Sequence, residues 1–133
     1  VHVARVLSPA SVSDNTAQVG QIIDRAGYES LMYTILIGSV ADDDATFTVL
    51  LEESDDSGMS GATAVADVDL IGTEALAAFQ FDDDNEVRKL GYKGNKRYTR
   101  LTITPANNSG AAVLAAVAHL GHPAMSPTAN PPV

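Results

Sequence analysis

Apolar and polar residues alternate with a period of two along several stretches of this chain. That period sends successive side chains to opposite faces of an extended strand. The clearest run is 29–39, with Leu31, Tyr33, Ile35 and Ile37 on one side and Met32, Thr34 and Leu36 on the other. Residues 45–53 repeat it, with Phe47, Val49 and Leu51 inward and Thr46, Thr48 and Glu52 outward. The polar Ala41-Asp42-Asp43-Asp44 between them predicts a turn and an antiparallel hairpin. In 96–104, Arg97, Thr99, Leu101 and Ile103 share one face and Tyr98, Arg100, Thr102 and Thr104 the other. Pro105 cannot donate to a ladder, and Asn107-Asn108-Ser109-Gly110 is turn chemistry. Residues 112–120 are apolar on both faces. Their alanines suit a short helix, but Gly110, Gly121, Val113 and Val117 favour a central strand, predicted to pair with 96–104 in a hairpin with a long loop.

Weaker signals fill the rest. Residues 17–24 predict a core strand with Val19 and Ile23 on one face and Ile22 on the other; 86–92 predict another around Val87 and Leu90. The Ser-, Gly- and Asp-rich 54–69 reads as a long loop with room for a short strand at 64–68. Thr73 followed by Glu74 predicts a helical turn over 73–79, with an extended alternative at 76–81. Residues 1–13 carry Val1, Val3, Val6 and Leu7 ahead of Ser8-Pro9. Two expectations stand side by side there: an arm, mobile when free and able to add as a strand to a neighbour, or an edge strand of its own domain. Residues 123–133, with four prolines, predict an extended tail. The pattern predicts one mainly β domain, an antiparallel β-sandwich or small β-barrel of six to seven short strands. Its parts are an arm at 1–14, a core at 15–122 and a tail at 123–133.

Composition sharpens this picture. The apolar fraction is 45%, but aromatics make up only 5% and alanine is abundant, so each buried side chain removes little area from water. A modestly stable monomer follows, and with it the expectation of a homo-oligomer or a docked state. Cysteine is absent, which excludes disulfides and thiolate metal sites. No apolar run approaches the roughly 20 residues of a membrane span, and the N-terminal residues lack a signal-peptide pattern, so a soluble protein is expected.

The net charge of −9 is unevenly spread. All 17 acidic residues lie at or before Glu86, where Arg5 and Arg25 are the only cations. Arg88, Lys89, Lys93, Lys96, Arg97 and Arg100 follow with no acid after them. Either the two parts neutralise each other within one fold, or they form a surface complementary to a partner. The basic run with Tyr92 and Tyr98 has the look of a single-strand nucleic-acid binder, but a pI of about 4.4 argues against phosphate and for an acidic protein surface.

Catalytic chemistry finds no footing. The acidic clusters 42–44, 55–56 and 82–86 lack the spacing of a calcium loop and read as solvated turn tips. His119 and His122 stand three apart without an obvious third ligand. Gly58-Met59-Ser60-Gly61 is followed by Ala62, which breaks the nucleophile-elbow pattern, and the spacing from Gly91 to Lys96 is not that of a P-loop. The expectation is a protein that is not an enzyme and has no cofactor or metal.

The strand KRYTRLTITP, the Asn/Gly turn, the Ala/Val strand and the Gly-His-Pro exit, together with QIIDRAGYESLMYTILIGSVADDDATFTVLLEESDD, resemble the small structural proteins encoded near the capsid gene of tailed bacteriophages. Those that are understood are decoration, or cement, proteins of the head. The resemblance implies a virion protein on the outer surface of the capsid, bound to the major capsid protein, and favours a trimer. The alternatives are another virion part (head-completion, tail-tube or fibre base) or, from a different class, a carbohydrate- or ion-binding β-sandwich. The charge and the lack of an apolar span predict no nucleic-acid or membrane partner. Candidate contact residues are Val1, Val3, Val6 and Leu7 of the arm and the six cations Arg88, Lys89, Lys93, Lys96, Arg97 and Arg100.

Overall fold

The computed structural model describes residues 1–129. In it the alternating runs become the long strands of two antiparallel sheets that enclose one core. In chain order the elements are β1 (His2–Val12), β2 (Gln18–Val19), β3 (Ile23–Asp24), β4 (Tyr28–Val40), β5 (Thr46–Ser54), β6 (Thr63–Ala64), a 3-10 turn (Asp67–Asp69), β7 (Leu70–Ile71), α1 (Glu74–Ala77), β8 (Phe79–Gln80), β9 (Val87–Tyr92), β10 (Tyr98–Ala106) and β11 (Ala112–Pro123). Six are long strands and five are two-residue segments, so the expected β-sandwich is the fold, with its six main strands. The first sheet runs β1-β11-β4-β9-β7. The second runs β2-β10-β5-β6, with β3 also on β10 and β8 also on β5.

The predicted faces are observed; the predicted hairpins are not. Leu31, Tyr33, Ile35 and Ile37 of β4 face Phe47, Val49 and Leu51 of β5 across the core. Yet β4 lies in the first sheet and β5 in the second, so the turn at 41–44 crosses between sheets. β10 and β11 are likewise divided: β10 pairs with β5, and β11 with β4 and β1. Asp42 ties the two crossings together, its Oδ2 accepting from Ser109 N at 2.8 Å and Ser109 Oγ at 2.9 Å. β11 is the central strand its two apolar faces predicted. Ala112, Ala116 and Ala118 point inward and make room for the bulk of Tyr33, Tyr92 and Phe47.

The N-terminal segment is an edge strand, not a free arm. β1 pairs with β11 from His2↔Leu120 to Val12↔Ala112, and Val6, only 1% exposed, fills the core together with Val12. The ladder supplies the backbone partners that offset the cost of ordering. Its register breaks between Arg5 and Leu7 and again before Ala10, around Pro9, which has no N–H to give. Beyond it, Asn108 clamps the linker: its Nδ2 donates to Val12 O and Asp14 O at 3.1 Å each, and its N–H donates to Asn15 Oδ1 at 2.9 Å.

Other expectations are revised in detail. Residues 17–24 form two short pieces, β2 and β3, on the edge of β10 rather than one core strand. The arch between them breaks the period, so Ile23 is buried while Val19 is exposed. Gly20 makes that arch possible: its N–H donates to Leu101 O at 2.7 Å, and a Cβ there would lie 2.6 Å from that same oxygen. The short strand expected at 64–68 is β6 followed by the 3-10 turn. Thr73 caps α1 as expected, its Oγ1 accepting from Leu76 N at 3.0 Å. β11 runs on to Pro123, and Ala124 N donates to Gly27 O at 2.7 Å, so the start of the expected tail is docked. Its last residues, 130–133, lie outside the described residues.

Candidate interaction surface

The basic strip is largely neutralised within the fold. Arg97 is bidentate to Asp24, at 2.8 and 2.9 Å, and its guanidinium lies 5.0 Å from the centre of the Tyr98 ring. This pairing holds the Asp24 carboxyl below its ordinary pKa. Lys96 Nζ meets Asp55 Oδ2 at 3.1 Å, and Arg100 meets Glu52 at 3.3 Å across the β10–β5 pair. Arg88 bridges Asp83, at 3.1 Å, and Glu86. The mixing of the acidic and basic parts of the chain is therefore what these four cations show. Lys89 and Lys93 are exposed and have no ion pair among the described residues. Of the apolar candidates, Val6 is in the core, Leu7 packs against it, and Val1 and Val3 are exposed.

Val3 and Lys89 belong to a larger surface, the outer face of the first sheet. Strand register lines its residues up in rows. Val3, His119, Met32, Gly91 and Ile71 run across all five strands. Arg5, Val117, Thr34 and Lys89 form the next row, and Ala115, Leu36 and Val87 another. Leu36 is 46% exposed, Val87 56% and Ile71 62%. Among the described residues these rows contain no Asp or Glu, in a chain of net charge −9. By the strand spacing and rise, the three rows span about 20 Å across the strands and about 14 Å along them.

The outer face of the second sheet differs. There Thr46, Thr48, Thr102 and Thr104 dominate, with the Arg100–Glu52 pair and two exposed apolar side chains, Val19 and Leu50, flanking Thr102. Threonine and paired charge suit a solvated face; contiguous Val, Leu, Ile and Met suit a covered one. The period of two marks Met32, Thr34 and Leu36 as outward, but nothing local in the chain joins them to Val87, Ile71 and Val117, because those neighbours come from strands distant in sequence.

A shallow apolar cleft of about 200 Å³ opens on this face, lined by Ser30, Leu31, Met32, Ile71, Lys89 and Gly91. Gly91 forms its floor: a Cβ there would come within 2.9 Å of the Ile71 side chain. Among the described residues no group of three or more His, Asp or Glu side chains is placed to hold a metal ion.

No family model and no curated protein matches the chain. Among solved structures, the PBSX exported protein XepA is similar over 98% of this chain, with a TM-score of 0.57 at 17% identity. The chain spans 40% of that protein's length. The Yersinia pseudotuberculosis-derived mitogen YPM matches over 94% of this chain and 91% of its own, with a TM-score of 0.48 at 12% identity. The CBM22-1–GH10 part of Clostridium thermocellum xylanase 10B, complexed with xylohexaose, matches over 96% of this chain and 27% of its own, with a TM-score of 0.48 at 11% identity. The likeness to XepA is one of fold: this chain is an antiparallel β-sandwich of the kind that makes up part of that longer protein.

Proposed function

We propose that this protein is a structural binding module of a bacteriophage virion, a decoration protein that attaches to the outside of the head and reinforces contacts between major capsid protein subunits. It acts by docking, not by catalysis, and needs no cofactor. The observation that carries this reading is the acid-free, apolar outer face of the first sheet on an otherwise acidic molecule. Contiguous exposed apolar surface on a sheet marks an interaction site. The sequence resemblance to phage head proteins supplies the partner. Likeness of fold to a protein described as exported is in keeping with a role outside the compartment of synthesis. Nucleic acid is disfavoured, because four of the six cations of the basic strip already face carboxylates of the same chain.

The test is attachment of the purified protein to heads prepared without it, followed by counting copies per head. Copies near the number of major capsid subunits, with heads more resistant to heat, are the expected result. A dozen copies or fewer would mark a portal, neck or tail component instead. A trimer in solution or on the head is expected from the resemblance.

A further inference from the structure

Resting on that reading, we propose that the cleft between β4, β9 and β7 is the anchor point of the docked state. It takes one aliphatic or aromatic side chain of the partner protein, next to a partner carboxylate that pairs with Lys89. Size, shape and charge point the same way. The cleft holds about 200 Å³, and an apolar cavity of about 150 Å³ is enough for a benzene ring. Its walls are the side chains of Met32 and Ile71, and its floor is the bare backbone of Gly91. Ile71 stands 62% exposed on a two-residue edge segment beside Met32, so a partner side chain seated there would remove apolar surface from water.

Charge decides what covers it. Lys89 stands at the rim of the cleft without an ion pair among the described residues, while Arg88, Lys96, Arg97 and Arg100 each have at least one. Arg5, in the same row as Lys89, donates to two neutral groups, Ser8 Oγ at 2.8 Å and the Gln21 side-chain oxygen at 2.6 Å, and has no ion pair among the described residues. The face is thus apolar with two cations and no acid to answer them. A second copy laid face to face would bring these cations against cations, which opposes self-pairing. A partner surface with an apolar side chain beside a carboxylate satisfies both the cleft and Lys89. A large side chain buried in a pocket with a flanking charge pair has the make-up of a binding hot spot.

The test uses quantitative binding to heads that lack the protein, with Ile71→Ala, Lys89→Glu and Lys89→Arg variants. All three substitutions are at exposed positions, and thermal unfolding checks each fold. Ile71→Ala and Lys89→Glu should each weaken binding tenfold or more, Lys89→Arg should stay within about twofold of the wild type, and wild-type affinity should fall as salt rises. Wild-type affinity for both Ile71→Ala and Lys89→Glu, with attachment still lost in Leu36→Glu, would overturn the anchor and leave the docking face standing. A wild-type chain that leaves heads bare would remove the functional reading and the anchor with it. If Lys89→Glu changes the mass of the free protein and not its attachment, the face joins copies of this chain, and the proposal fails.

Discussion

Two tyrosines hold the sheets together through their hydroxyls. Tyr33 OH and Thr99 Oγ1 lie 2.6 Å apart in the core, joining the first sheet to the second. Tyr92 OH donates to Glu53 Oε2 at 2.5 Å and accepts from Lys96 N at 3.1 Å. Burial pushes both phenols up, Tyr33 well above its ordinary value and Tyr92 to about 12, the latter helped by the Glu53 carboxylate. The unfolded chain ionises at the ordinary tyrosine value of 10.0 while the fold keeps both phenols neutral. The stability they contribute is therefore complete below pH 10 and is lost as the pH rises toward 12. The melting temperature should fall across that window, and Tyr92→Phe should flatten the fall. Tyr33→Phe leaves the fully buried Thr99 hydroxyl without its partner and should cost about 1–3 kcal/mol by denaturant unfolding at neutral pH. Reversing Lys96 and Arg97 to Glu should lower the melting temperature slightly, and more at low salt than at high, because both cations answer acids of the same chain.

At the scale of elements, β1 carries the sharpest expectation. It closes one edge of the first sheet and places Val6 and Val12 in the core, so deleting residues 1–14 should unfold the protein rather than merely weaken docking. A cooperative thermal transition in the truncated chain at the full-length temperature would contradict this. Gly20 is a smaller test of the same contact. Its missing Cβ lets the arch between β2 and β3 approach within hydrogen-bond reach of β10 and against Val6 of β1. Gly20→Ala forces a methyl group onto a backbone oxygen that a ladder holds in place. It should destabilise by about 1–3 kcal/mol, as overpacking does, measured by chemical denaturation.

For the whole molecule, the proposed docking role rests on the contrast between its two outer faces. The second sheet presents mainly threonines and the Arg100–Glu52 pair beside Val19 and Leu50, while the three rows of the first sheet present Val, Leu, Ile and Met without a carboxylate among the described residues. Placing a charge in the middle of that face, as Leu36→Glu does, should abolish attachment to heads and leave the melting temperature nearly unchanged, since Leu36 is 46% exposed in the free chain. Co-sedimentation with heads and a thermal scan check the two halves of this expectation. Normal attachment of Leu36→Glu would mean that docking uses a different surface.

The sequence by itself determined which residues turn inward. The period of two is a local property of extended backbone, so Leu31, Tyr33 and Ile35, or Thr99, Leu101 and Ile103, could be assigned to the core from spacing alone. It also determined the fold class, the cap at Thr73 and the central position of β11, each of which rests on neighbours in the chain. Only the tertiary structure decided which strands share a sheet. The links after β4 and β10 are each long enough either to return along the same sheet or to cross about 10 Å to the other, and the alternation reads the same in both cases. The fate of 1–13 was likewise undecided, because the strand that orders it, β11, lies about a hundred residues away. The candidate surface followed the same rule. Val3, Met32, Ile71, Val87 and Val117 become neighbours only through the register of five strands, and the carboxylates that answer Lys96, Arg97 and Arg100 come from 41 to 73 residues away.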